Sequence, residues 1–254
     1  MVRSPYSEIF GVCHAKAYIF DDTVLVSGAN LSEQYFTTRQ DRYVSFASAA
    51  LADVIANVVD AIAHHAFRLR PDGRLDTPCS GLDPLAMPEA FGNALGDALS
   101  AALGRSGLGS RTASGPGGSL GAVLRDHALV FPLVQLGCIG FRQDELALAS
   151  FLAACRGGSL SLSSGYLNPT RAFESQLAKS GVPSLRLVTA SPAANGFYGA
   201  KGSRALIPFV YRKIAHESVE RIRSQALKHC SPASSSAPAV SLHEYARPGG
   251  WEYH

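Results

Sequence analysis

A histidine, a lysine and an aspartate follow one another at short spacing near the start of this 254-residue chain. His14 and Lys16 are two residues apart, and Asp21 follows the lysine by five. Because residues i and i+2 of a β-strand share a face, the spacing predicts that His14 and Lys16 project to the same side. An imidazole is a nucleophile and a fixed ammonium stabilises phosphate oxygens, so the set suits phosphoryl transfer.

These residues need a strand and a turn to hold them. The apolar run Tyr18-Ile19-Phe20 predicts the buried remainder of the strand that carries His14. Asp21, at the end of that strand, is placed to orient or charge-balance a histidine. An ordinary hairpin whose polar side chains face water is the alternative interpretation of the same pattern.

Composition narrows the class of protein. Hydrophobic residues make up 46% of the chain and charged residues 17%, and the net charge is only +3, so a strongly basic nucleic-acid binder is not expected. The five cysteines are scattered without metal-site spacing, which favours reduced thiols. No signal peptide is visible, and no apolar run reaches the roughly eighteen residues of a membrane span. We therefore expect a soluble or membrane-peripheral protein.

Periodicity along the chain predicts an α/β organisation. An amphipathic pattern predicts a helix over 48–67, and a Gly/Ser-rich stretch over 104–121 predicts a flexible linker. Beyond the linker, strands alternate with helices, which indicates parallel β-α units. The predicted strands there are 159–164, 185–190 and 240–245, and the predicted helices are 144–155, 170–179 and 203–229.

The His14, Lys16 and Asp21 set matches the H-x-K-x4-D signature of the phospholipase D superfamily. With the segments that follow it, the chain closely resembles the mitochondrial phosphatidylglycerophosphate synthases. The matching segments are 27–30, 35–43, 164–170, 190–202 and 244–254.

The resemblance implies an α/β phospholipase D-like fold of two pseudo-symmetric lobes. Residues 1–68 would be the C-terminal part of the first lobe, residues 69–128 a largely flexible linker or insertion, and residues 129–254 the second lobe. His254 would be the histidine of a second motif.

The resemblance also implies a function. The expected reaction moves the phosphatidyl group of CDP-diacylglycerol to glycerol 3-phosphate through a phosphohistidine, and its product leads to cardiolipin. His14 would be the nucleophile, Lys16 the stabilising cation, Asp21 the orienting acid and His254 the proton donor. No metal or other cofactor is expected, because lysine neutralises the charge. Substrate-binding residues would be Asn30, Arg39, Arg42 and Lys201, in a mitochondrial protein in peripheral contact with the inner membrane and without a nucleic-acid partner.

The chain departs from the family pattern in three places. Ser27-Gly28-Ala29-Asn30 stands where many superfamily members have Gly-Ser-x-Asn. The lysine and aspartate of the second motif would come after His254, and relatives carry a nucleotide-binding segment ahead of the position of His14. We therefore expect the sequence to be a fragment, a splice product or an incomplete gene model, and we expect the family's activity to be absent from this chain by itself. A phospholipase D-type phosphodiesterase and an inactive truncated product are the alternative functional interpretations.

Overall fold

The computed structural model describes residues 14–104, 130–155, 157–229, 238–249 and 251–253. The helices are α1 (Glu33–Thr37), α2 (Ala49–His64), α3 (Pro88–Gly104), α4 (Gln143–Ala154), α5 (Arg171–Lys179) and α6 (Ile207–His229). The strands are β1 (Ala17–Phe20), β2 (Thr23–Ser27), β3 (Arg39–Gln40), β4 (Tyr43–Ala47), β5 (Arg68–Leu69), β6 (Leu75–Asp76), β7 (Gln135–Leu136), β8 (Phe141–Arg142), β9 (Ser159–Ser164), β10 (Ser184–Ala190), β11 (Ala239–Tyr245) and β12 (Glu252–Tyr253). Of the described helices, none is both long and apolar enough to cross a membrane.

The described residues form two compact units. The first combines residues 14–16 and 27–43 with the described part of 147–254, and the second combines residues 17–26 with the described part of 44–146. The division of the chain into 1–68, 69–128 and 129–254 stays a prediction. Most of the 104–121 stretch lies outside the described residues.

A parallel sheet forms the centre of the first unit. Its strand order is β11–β10–β9, and both neighbouring pairs are parallel. Alternate apolar residues such as Leu185 and Leu187 are buried in the core, and helix α6 contributes Val219 and Ile222 to the same core. The predicted parallel β-α units are therefore confirmed, with strand bounds within one residue of those expected from the sequence.

Helix starts in both units follow from their capping residues. The hydroxyl of Ser48 accepts the backbone N–H of Leu51 at the start of α2, and the hydroxyl of Thr170 accepts that of Phe173 at the start of α5. Such side-chain acceptors satisfy amide groups that the helix itself leaves unpaired. The helix predicted over 48–67 therefore begins one residue later, after its cap, and ends earlier.

A three-stranded sheet in the order β1–β2–β4 lies mainly in the second unit. Strands β1 and β2 are antiparallel and are joined by the two-residue turn Asp21-Asp22. Val24 of β2 is fully buried and packs with Leu51 and Ala52 of helix α2. The hairpin is thus attached to the core of this unit mainly through its second strand.

Two expectations for the first strand are wrong. Strand β1 begins at Ala17, so His14 and Lys16 precede it and their placement does not follow from strand alternation. Ile19 and Phe20 are exposed, not buried. The reason is that the described core of this unit forms around Val24 of β2 and helix α2 and includes no residue of β1.

Candidate active site

His14 and Lys16 lie together in the first unit. The ammonium of Lys16 donates a hydrogen bond to the backbone carbonyl of His14, with Nζ and O 2.8 Å apart. The His14 residue is exposed, whereas Lys16 is partly buried. The lysine side chain therefore curls back onto the residue whose imidazole it would assist, and that imidazole is open to solvent.

Asp21 occupies the first position of the hairpin turn, in the second unit. Its φ of 50° lies in the left-handed region, which aspartate tolerates better than most residues. Among the described residues it is the non-glycine residue with a positive φ. The left-handed backbone conformation is thus one reason for an aspartate at this position. The orienting role predicted from the sequence is a separate reason.

Asp41 is a polar residue of this region that the sequence analysis did not single out. Its Oδ1 accepts the backbone N–H of Arg42 at 2.6 Å, and its Oδ2 is buried without a hydrogen-bond partner among the described residues. A Cβ on Gly28 would lie 2.9 Å from that Oδ2, so the Asp41 carboxylate or the loop would have to shift to admit any other residue. A buried anionic oxygen without a donor is costly, which marks the Gly28–Asp41 contact as a functional candidate.

Asn30 and Arg42 flank this contact. Asn30 is partly buried, and its carbonyl accepts the backbone N–H of Ser32 at 2.9 Å. The hydroxyl of Ser27 accepts the backbone N–H of Ala29 at 3.0 Å, which closes the short loop before Asn30. Arg42 is exposed. These hydrogen bonds therefore order the backbone of the short loop that carries Asn30.

Arg39 forms an ion pair with Glu252, in which the guanidinium Nε contacts Oε2. The guanidinium also lies over the ring of Tyr35, 4.8 Å from its centre. Burial by itself lowers the pKa of Arg39, but the hydrogen bonds to Glu252 and Tyr35 outweigh it and raise that pKa above its ordinary value. Arg39 is thus firmly charged and already engaged with protein groups.

Strand β12 is held in place by several further contacts. It pairs in parallel with β3, with Glu252 opposite Arg39 and Tyr253 opposite Gln40. The hydroxyls of Tyr253 and Ser163 are 2.6 Å apart, and the hydroxyl of Tyr245 donates to Oε1 of Gln40 at 2.5 Å. These contacts fix the segment that comes directly before His254 in the sequence. His254 itself lies outside the described residues.

Gly196 completes the surroundings of the ion pair. A Cβ at this position would lie 3.1 Å from Oε2 of Glu252 and 3.2 Å from both Nη2 of Arg39 and the hydroxyl of Tyr166. Burial raises the pKa of Tyr166 above its ordinary value, and the hydrogen bond from the backbone of Gly196 opposes that rise. A side chain at this position would therefore require these neighbouring groups to move by a few tenths of an ångström.

Lys201, the remaining predicted binding residue, is exposed and directly precedes the 3-10 turn Gly202–Leu206. Within the described ranges, no group of His, Cys, Asp and Glu side chains is arranged to hold a metal ion. The structure thus brings His14 and Lys16 together and joins Arg39 to the segment before His254.

The fold of this chain is similar to that of a solved structure. A phosphatidylserine synthase from Haemophilus influenzae matches 97% of the chain and 51% of its own length, with a TM-score of 0.56 and 20% sequence identity. The chain therefore has a mixed α/β, phospholipase D-like fold, as predicted. A scan against models of known protein families finds no match.

Several curated proteins are similar to this chain over its whole length. Proteins named CDP-diacylglycerol--glycerol-3-phosphate 3-phosphatidyltransferase, mitochondrial, from Gallus gallus and Mus musculus are 31% identical to it over 100% of the chain and 47% of their own length. The Saccharomyces cerevisiae protein of that activity is 26% identical over 100% of the chain and 49% of its own length. The resemblance predicted from the motifs is confirmed, and the chain spans about half the length of the curated relatives it matches.

Proposed function

We propose that this protein is a phosphatidyltransferase that moves the phosphatidyl group of CDP-diacylglycerol to glycerol 3-phosphate. The observation that carries the proposal is the match over the whole chain to relatives named for that reaction. The ordered His14, Lys16 and Asp21 set supports it, because these residue types suit attack on phosphorus.

In the first half-reaction, the imidazole of His14 attacks the phosphorus that carries the diacylglycerol group. A P–N bond forms while the bond from phosphorus to the CMP oxygen breaks, and His254 donates a proton to that oxygen. The ammonium of Lys16 neutralises the non-bridging oxygens, and Asp21 balances the charge on the histidine. The exposure of His14 supports this role, because a lipid phosphate can reach it.

In the second half-reaction, a hydroxyl of glycerol 3-phosphate attacks the phosphohistidine. His254 accepts the hydroxyl proton, a new P–O bond forms and the P–N bond breaks, which returns both histidines to their starting state. The products are CMP and phosphatidylglycerophosphate. The reaction is thus balanced with two histidines and without any oxidant or reductant.

Asn30, Arg39, Arg42 and Lys201 are the proposed substrate-binding residues. Arg42 and Lys201 are exposed cations that can meet the phosphates of CDP-diacylglycerol and glycerol 3-phosphate. Arg39 has a second proposed role, because its ion pair with Glu252 holds the segment that leads to His254.

The protein is proposed to act in the mitochondrion, in peripheral contact with the inner membrane. The names of its vertebrate relatives include the word mitochondrial, and its lipid donor resides in a bilayer. The net charge of only +3 offers no general attraction to nucleic acid, so no such partner is proposed.

Labelled CDP-diacylglycerol, supplied with and without glycerol 3-phosphate, tests the proposed reaction. Labelled phosphatidylglycerophosphate that depends on the acceptor is the expected result, and His14→Ala should abolish it. His64→Ala, which changes an exposed histidine of helix α2, is the matched control and should retain turnover. Phosphatidic acid as the main product would instead identify a phospholipase D-type hydrolase.

A further inference from the structure

A row of large apolar side chains is exposed along residues 197–213, which we call the 197–213 surface. Tyr198 is 61% exposed, Leu206 63%, and Phe209 and Val210 53% each. These residues follow one another within a single loop and the first turns of helix α6, all in the first unit. Exposed apolar residues that are this concentrated mark an interaction site.

The exposed apolar residues of helix α6 lie on a different side of the helix from its buried residues. Its buried residues include Pro208, Ala215 and Ile222, which recur at helical spacing along one stripe. At about 100° per residue, Val210 and Lys213 lie on the side opposite that stripe. The apolar side chains therefore point away from the core that the same helix covers.

The loop before the helix presents its aromatic residue in a defined conformation. Asn195 is buried, and its side-chain oxygen accepts the backbone N–H of Phe197 at 3.0 Å. Its backbone oxygen accepts the N–H of Tyr198 at 2.8 Å, and Phe197 accepts the N–H of Ala200 at 3.1 Å. Because the backbone is already ordered, contact through Tyr198 costs little additional conformational entropy.

All charged residues within the 197–213 surface are positive, although two of them pair with glutamates outside it. No aspartate or glutamate occurs from Ser191 to His216, a stretch that contains Lys201, Arg204, Arg212 and Lys213. Arg212 pairs with Glu244, and Nζ of the exposed Lys213 lies 3.8 Å from Oε1 of Glu217. No ion pair identified in the described part of the chain involves Lys201 or Arg204. The apolar side chains are therefore interspersed with exposed cations, as in elements that lie at the interface of anionic lipid.

Two other exposed apolar residues have acidic neighbours instead. Phe20 of strand β1 directly precedes Asp21 and Asp22, and Leu146 of helix α4 directly follows Asp144 and Glu145. Acidic neighbours would oppose contact with an anionic bilayer. Charge complementarity therefore favours the 197–213 surface over these two positions.

We propose that the 197–213 surface docks the protein onto an anionic phospholipid membrane, an inference that rests on the proposed function because the phosphatidyl donor is a membrane lipid. The apolar side chains enter the headgroup boundary, while Lys201, Arg204 and Lys213 contact lipid phosphates. Gly196, directly before this surface, abuts Glu252 in strand β12. Docking thus brings the bilayer beside the segment that leads to His254.

Co-sedimentation of the chain with phosphatidylcholine vesicles, with and without phosphatidylglycerol, tests the proposal. The wild-type chain should bind mainly the vesicles that contain phosphatidylglycerol. Two double variants, Tyr198→Ser with Lys201→Gln and Val210→Ser with Lys213→Gln, should each lower that affinity about tenfold, since each removes one apolar and one charged contact.

Leu227→Ser with Lys228→Gln is the matched control, since both residues are exposed in the last turns of the same helix. Eighteen residues separate Leu227 from Phe209, roughly 27 Å along the helix, on the same side of it. The control should bind as the wild type does. Circular dichroism should show equal folding of all three variants, so that lost binding is a surface effect.

Three results would overturn the proposal: absence of wild-type binding to anionic vesicles, equal loss in the control, or unchanged binding in both test variants. A dimer seen by light scattering, and lost only in the test variants, would assign the surface to a second copy of the chain instead. Vesicle binding is measured without glycerol 3-phosphate and does not require turnover. Failure of the transferase assay and failure of docking are therefore separate outcomes.

Discussion

Arg39 and Glu252 lie opposite each other in the parallel pairing of β3 with β12, and their side chains form an ion pair across it. The two residues are 213 positions apart in the chain. The pair therefore ties the loop that carries Asn30 and Asp41 to the segment directly before His254. Both side chains are largely shielded from solvent, with exposed fractions of 18% and 26%.

Replacement of Arg39 by Gln should impair turnover more than substrate binding. The change leaves the Glu252 carboxylate partly buried without its cation, which costs about 1–3 kcal/mol of stability. If β12 shifts, kcat should fall at least tenfold while KM changes less, because positioning of the proton donor affects the transition state most. Steady-state kinetics and thermal unfolding measure the two effects.

Two further variants separate positioning from general stability. Exchange of the charges, Arg39→Glu with Glu252→Arg, should recover part of the loss, whereas either single change should not. Arg70→Gln breaks the exposed pair with Asp76 and should change stability by no more than about 1 kcal/mol. A rise in KM with kcat unchanged in Arg39→Gln would show that Arg39 acts in substrate binding alone and does not position β12.

The contact between Gly28 and Asp41 gives a second prediction. A methyl group in Gly28→Ala would lie 2.9 Å from Oδ2 of Asp41, so the loop or the carboxylate must move. We expect a loss of about 1–3 kcal/mol of stability, as for other overpacked sites. In an Asp41→Ala background the same change should cost much less, since the carboxylate it meets is gone.

Chemical denaturation of the four proteins in this cycle measures the coupling free energy. Gly137→Ala is the matched control, because a Cβ there would meet nothing within 4 Å. Equal effects of Gly28→Ala in both backgrounds would show that the clash with Asp41 is not the cause.

The sequence predicted the regular elements well because their signals are local. The cap residue Thr170 and the alternating leucines of β10 place a helix and a buried strand without reference to distant parts of the chain. The burial of Phe20 was predicted wrongly because exposure depends on which elements cover a strand, and the described core of this unit includes no residue of β1. A local run of apolar residues does not show which elements will cover the strand.

The same difference between local sequence signals and distant contacts applies to the candidate site. His14, Lys16 and Asp21 are recognisable because they are neighbours in the sequence. The pair of Arg39 and Glu252 depends on a parallel pairing between two-residue strands, which carries no periodic signal. The short run Arg39–Arg42 and the Gly28 position are visible only as part of a family resemblance, so the close contact with Asp41 required the structure.

Tyr166 gives a prediction for the dependence of stability on pH. Burial raises the pKa of its phenol above the ordinary 10.0, and the Gly196 backbone hydrogen bond opposes this. Because the pKa is higher in the folded state, this contribution is fully present below the unfolded-state pKa and is lost as pH rises through the folded-state pKa. The free energy of unfolding should therefore fall above about pH 10 in the wild type.

Tyr166→Phe should make that alkaline decline shallower, because the replaced side chain cannot ionise. Urea unfolding at several pH values on both sides of the ordinary tyrosine pKa measures the slopes. Tyr198→Phe changes an exposed tyrosine and should keep the wild-type slope. An unchanged alkaline slope in Tyr166→Phe would contradict the assignment of the effect to this phenol.

Lys16→Arg tests the proposed role of the ammonium in stabilising the phosphorus centre. The lysine Nζ is held 2.8 Å from the carbonyl of His14, and a larger, planar guanidinium cannot reproduce both that contact and a compact charge at the same place. Loss of one such stabilising contact lowers turnover about 10²- to 10³-fold. The rate of CMP release at saturating CDP-diacylglycerol and glycerol 3-phosphate measures the effect.

Lys179→Arg, at an exposed position in the last turn of α5, is the matched control and should turn over normally. If Lys16→Arg released CMP as fast as this control, any cation would suffice at residue 16 and the proposed geometric role would be wrong.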